Sequence, residues 1–127
     1  MRILIADDHP VIRKQVRLIL EEHPRFEVCG EAHDGAEAIE EAQRLKPDVV
    51  VLNVSMPILN GMEAARKIKA QLPEMAVVIL SSHIDRHFIE EAQKVGARAY
   101  VAKTKAAEAL VKAIEAAVIG GAFILID

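Results

Sequence analysis

Two carboxylates stand side by side at Asp7 and Asp8, directly after the apolar run Ile3-Leu4-Ile5-Ala6. Adjacent acids at the end of a buried segment repel each other and are costly to desolvate, so the pair reads as provision for a cation. Oxygen-only ligation favours magnesium, a hard ion that keeps several waters and takes one or two carboxylates. Three more apolar runs end in polar groups: Val49 to Leu52 in Asn53, Val77 to Leu80 in Ser81 and Ser82, and Ala99 to Ala102 in Lys103. A metal and an ammonium together neutralise a phosphoryl group, and a serine hydroxyl can donate to it. The remaining requirement is an acceptor, and a carboxylate at position 53 could attack phosphorus to form an acyl phosphate. The carboxamide of Asn53 is a poor substitute, because it is neutral and its nitrogen lone pair is delocalised into the carbonyl.

These groups converge only if the runs before them are parallel strands of one sheet. Strands are expected at Ile3 to Ala6, Glu27 to Gly30, Val49 to Asn53, Val77 to Leu80 and Ala99 to Ala102. Between and after them lie five stripes of helical period, led by Ile12, Ala38, Met62, Phe88 and Ala107. Strands alternating with helices indicate an α/β fold, and right-handed crossovers bring every strand's carboxyl end to the same edge. The run Val49 to Leu52 is apolar on both alternating faces, as a central strand covered by helices must be. Pro24, Pro47, Pro73, Gly96 and the pair Gly120-Gly121 fall where helices should stop.

Composition excludes several classes. A chain of 127 residues suits one domain, and 52% hydrophobic with 28% charged residues is not a disordered composition. A net charge of -3 with scattered Lys and Arg supplies no basic footprint, so direct nucleic-acid binding is not expected. No apolar run approaches the ~20 residues of a membrane span, and Arg2 with Asp7 and Asp8 breaks any secretory pattern, so a cytoplasmic protein is expected. Cys29, in the strand-like "FEVCGEA", has no partner and reads as a small buried thiol. His83 and His87 stand four apart but lack a third ligand for zinc, and His9 is expected in solvent at the pocket mouth.

The segments "ILIADDHP", "VVVLNVSMPILNGMEAARKI", "VVILSSH" and "GARAYVAK" stand in an order and spacing that resemble the receiver domain of two-component response regulators, over residues 1–119. The resemblance implies a flavodoxin-like (βα)5 fold, a doubly wound five-stranded parallel sheet in the order 2-1-3-4-5. It implies that Asp8 ligates magnesium, with Asp7 as its partner directly or through water, the Ser55 carbonyl as a further ligand and position 53 in the same shell. Pro57 shapes the turn behind them. Ser81 matches the switch hydroxyl, Lys103 the phosphate-contacting lysine and Tyr100 the aromatic that changes rotamer. A sensor histidine kinase is the implied partner. A homodimer through the fourth helix, fifth strand and fifth helix is implied as well, with Arg86, Glu90, Lys94, Arg98, Lys105 and Glu108 on the contact face.

The departure is Asn53, where the family typically carries the phosphorylated Asp. As it stands the chain is expected to be neither phosphorylated nor enzymatic, and to bind magnesium more weakly. A unit charge pair at ~4 Å is worth ~4 kcal/mol at an effective dielectric of ~20. The amide fits either an introduced change that locks the site off or a natural, phosphorylation-independent module acting by dimerisation or protein binding. Thr104 after Lys103, and the two glycines after the last helix, resemble the transcription-regulating group with a helix-turn-helix output domain, which these residues do not include. Residues 120–127 are expected to be a tail or linker toward such a domain, or a short strand folded back. A haloacid-dehalogenase-type phosphatase would need Asp-x-Asp on the first strand. A flavodoxin would need a phosphate loop there and aromatic side chains to stack its flavin, and neither pattern is present.

Overall fold

Period-two alternation sends successive strand side chains to opposite faces of a sheet, and that alternation builds two cores here. The computed structural model describes residues 1–127. Strand β1 (Arg2–Ala6) leads into helix α1 (Pro10–Glu21), then β2 (Glu27–Ala32), α2 (Gly35–Leu45), β3 (Val49–Leu52) and α3 (Gly61–Gln71). Next come β4 (Ala76–Ser81), α4 (Arg86–Lys94), β5 (Ala99–Ala102), a 3-10 turn at Lys103–Lys105, α5 (Ala106–Ile119) and β6 (Ile124–Ile126). Every strand pair is parallel, in the order β2-β1-β3-β4-β5-β6.

The order expected of the first five strands holds, and the five-stranded expectation falls one strand short. Residues 124–126 pair with β5 in the register Ala99↔Ile124, Tyr100↔Leu125 and Val101↔Ile126. The physical reason is the free edge of β5, whose unpaired backbone groups an apolar, partly β-branched run can satisfy once the chain has turned back.

Val49 and Val51 face a core closed by Val16 and Leu20 of α1 and by Leu110 and Ile114 of α5. Val50 and Leu52 face the other, closed by Ala38 of α2, Ile68 of α3 and Ala92 of α4. All four residues of β3 are buried, as a central strand requires. Three helices that rise from the carboxyl edge are capped by side chains: Asp34, Asn60 and Asp85 accept from the N–H groups of Glu37, Glu63 and His87. Such caps contribute ~1 kcal/mol each and fix where each loop ends. No helix is long and apolar enough to cross a membrane.

Candidate functional site

Ala6 and Leu52 are paired across β1 and β3, so the next residues, Asp7 and Asn53, emerge side by side. The Asn53 N–H donates to the Ala6 carbonyl at 3.0 Å, carrying the ladder one residue past both strands. Gly61 opens α3 directly beneath: a Cβ there would lie 2.0 Å from the Asn53 carbonyl oxygen. Only glycine lets the helix begin so close.

Five of the seven expected site residues form one bonded group. Asp7, only 3% exposed, has its Oδ2 3.0 Å from Lys103 Nζ. Its Oδ1 accepts the His9 N–H at 2.9 Å. The His9 ring, 63% exposed as expected at a pocket mouth, places Nδ1 3.1 Å from both Asp7 Oδ1 and Asp8 Oδ1. Asn53, 5% exposed, donates from Nδ2 to the Ser55 carbonyl at 2.8 Å and more weakly to Asp8 Oδ1 at 3.4 Å. Because both partners are acceptors, they identify the nitrogen side of the amide.

The oxygen donors of Asp7, Asp8 and Ser55 are of the kind a hard divalent cation takes, and one ligand atom from each of Asp7, Asp8 and His9 lies within 4.8 Å of the others. The Asn53 amide turns its N–H groups toward two of those oxygens. It stands in for part of a cation's charge without carrying a full one. Asp7, Asp8 and Lys103 leave a single net negative charge, which a carboxylate at position 53 would double.

Ser81 and Tyr100 belong to a second group. Ser81 ends β4 beside Ala102 of β5 and is fully buried. Its Oγ accepts the His83 N–H at 3.0 Å, and the buried Tyr100 hydroxyl donates to the His83 carbonyl. Burial pushes the Tyr100 phenol up, partly offset by the neighbouring Ser81 hydroxyl. No hydrogen bond or ion pair joins this group to Asp8, Asn53 or Lys103. Residues 82–85, which carry the link, are exposed.

Two participants are not among the expected site residues. Arg13, on the first turns of α1, donates to the Asp7 carbonyl at 2.7 Å and to Glu31 at 2.9 Å. Burial would raise the Glu31 carboxyl, but hydrogen bonds from Arg17 and Arg13 outweigh it and hold the group below its ordinary value. A cation one turn past an acid pair, beside an apolar stripe, is the available signal. His83 acts through its main chain and gives none. Its ring and that of His87 lie against Phe88, each 5.8 Å between centroids, with no third ligand grouped beside them.

A cavity of about 530 Å³ opens beside Asp8 and Ser55, with Met56, Met62, Phe88 and Glu91 in its walls. On the loop above it Ile58 has φ 69° and is 82% exposed, a left-handed conformation that strains a β-branched residue.

A family model described as the response regulator receiver domain matches residues 3–115. The transcriptional regulatory protein DegU of Brevibacillus brevis is 37% identical over 124 residues, covering 98% of this chain and 52% of its own length. The chain thus spans about half the length of that curated relative. Among solved structures, a two-component response regulator of the LuxR family from an Aurantimonas species superposes with a TM-score of 0.91 at 34% identity, over 97% of this chain and 87% of that one. The response regulator domain of Thermotoga maritima CheB superposes with a TM-score of 0.85 at 31% identity, over 95% of this chain and 98% of that one.

Proposed function

The chain belongs to the response regulator receiver-domain family, and on that premise we propose that it is a receiver held in its unmodified state because Asn53 occupies the acceptor position. The observation that carries this reading is the Asn53 amide, donating to the Ser55 carbonyl and toward Asp8 where an acceptor carboxylate would face a metal. Magnesium would be held by Asp7, Asp8, the Ser55 carbonyl and position 53, weakly because Asn53 brings no charge. When bound, it supplies the positive charge that offsets a phosphoryl group's oxygens. Lys103 holds the Asp7 carboxylate and stands ready to meet the phosphoryl group. Ser81 and Tyr100 report the state of the site through the His83 main chain.

Receiver domains of response regulators interact with sensor histidine kinases, and we assign that class of partner, for a cytoplasmic regulator of transcription acting through a separate output domain. Self-association uses α4, β5 and α5, whose mixed exposed charges set register at ~0.2–1 kcal/mol per pair. A second reading, a protein-binding or dimerisation module that never uses phosphorylation, is favoured by the same filled acceptor position.

Incubation with magnesium and acetyl phosphate tests the assignment. The intact mass of the chain is expected to stay unchanged, and Asn53→Asp is expected to gain one phosphoryl unit. A gain by the parent chain, or none by the variant, overturns the proposal.

A further inference from the structure

The expected pairing face and the sixth strand occupy the same place. The Ile124 N–H donates to the Arg98 carbonyl at 3.0 Å, so β6 lies along the edge of β5 that a second copy would approach. Phe123 packs toward the core on the α4 side, with Tyr100, while Ile124 and Ile126 pack toward the α5 side. The tail therefore spans the face from one flank to the other. Arg98, one of the charges expected to pair across copies, lies against the turn that starts the tail: a Cβ on Gly120 would lie 2.8 Å from its guanidinium.

The attachment is thin. It rests on three residue pairs, and Leu125 remains 44% exposed. It begins at Gly120 and Gly121, with φ of 93° and 105°, conformations that only glycine adopts without strain. Nothing lies within 4 Å of a Cβ built on Gly121, so backbone geometry alone selects glycine there.

We propose that residues 120–127 form a strap over the outer edge of β5, and that a second copy of this chain can use the α4–β5–α5 face only when the strap is off. This rests on the pairing reading given above and adds its control. A strand with an unpaired edge invites another chain; β6 takes up that edge and leaves in its place one only three residues long, too short to recruit a partner well. Alternation along a strand points the Ile124 and Ile126 N–H groups at β5 and the Leu125 N–H away. Proline removes a donor wherever it is placed, so its position decides whether the strap is loosened.

The test compares the full chain with Ile124→Pro and Leu125→Pro, reading mass by sedimentation across a concentration series and tail protection by hydrogen exchange. The parent and Leu125→Pro are expected to stay monomeric with a protected tail. Ile124→Pro is expected to exchange its tail as free chain does and to associate more tightly by an order of magnitude or more. A parent that dimerises with its tail still protected, unchanged in Ile124→Pro, overturns the strap and leaves the pairing face standing. A released tail with no association removes the pairing face, and the strap with it. Should Ile124→Pro fail to fold, Gly121→Ala loosens the same attachment through backbone strain and must move tail exchange and association in the same direction, or the proposal fails.

Discussion

The carboxyl edge of the sheet has two halves that are held differently. Around β1 and β3, Asp7, Asp8, Asn53 and the Ser55 carbonyl are locked by short polar contacts within the chain, and Arg13 braces them from α1. Around β4 and β5, Ser81 and Tyr100 hold one exposed loop residue by its main-chain N–H and carbonyl. Lys103 is the single ion pair that crosses between them, reaching from the end of β5 to Asp7 beside β1. The difference teaches a division of labour. The first half holds charged groups by several short contacts, whereas the second holds its exposed loop by two hydrogen bonds from buried side chains.

Cutting the crossing is expected to have the largest effect. Lys103→Met leaves a nearly buried Asp7 carboxylate with only His9 beside it, and should cost about 3 kcal/mol in urea unfolding. A loss under about 1 kcal/mol would mean that His9 satisfies Asp7 unaided and that the crossing ion pair adds little. Next is Asn53→Asp in metal-free buffer, which adds a second net negative charge to the locked half. It should lower stability by about 1–2 kcal/mol, a part of the Coulomb limit because the pocket is open to water. Magnesium should restore the loss and raise the melting temperature of the variant more than that of the parent. Equal melting without metal would break the claim that the amide calms this half. The smallest effect belongs to the other half: Tyr100→Phe removes one hydrogen bond to the His83 carbonyl and should cost about 1 kcal/mol. Faster amide exchange should follow at residues 82–85 and not at Asp7 or Asn53. Exchange that rises in both halves would show them coupled through packing.

Much of the locked half could be read from residue types, because carboxylates, an amide and a lysine after apolar runs declare themselves. Two of its shortest contacts could not, since Asn53 meets Ser55 and Arg13 meets Asp7 through backbone carbonyls, and main-chain partners carry no residue signature. The same holds for the Ser81–His83–Tyr100 link, where the essential groups of His83 belong to every amino acid. The strand order came from the resemblance rather than from periodicity, which marks strands without saying which are neighbours. The sequence leaves β6 as one of two readings of residues 120–127, because three residues carry too little alternation to decide, and what recruits them is an edge that exists only after folding. Cys29 is only half-buried, with its thiol against the Ile3 carbonyl, because β2 is an edge strand rather than a covered one.

The parallel sense of β6 also sets a direction of exit. Helix α5, at 14 residues, carries the chain about 21 Å away from the pocket, toward the opposite end of the molecule. The last strand then climbs back, and with Val101 opposite Ile126 the terminal Asp127 arrives level with Ala102, one residue short of Lys103. Whatever is joined to the chain at that point starts beside the acidic edge that carries Asp7, Asp8 and Lys103 instead of at the far floor.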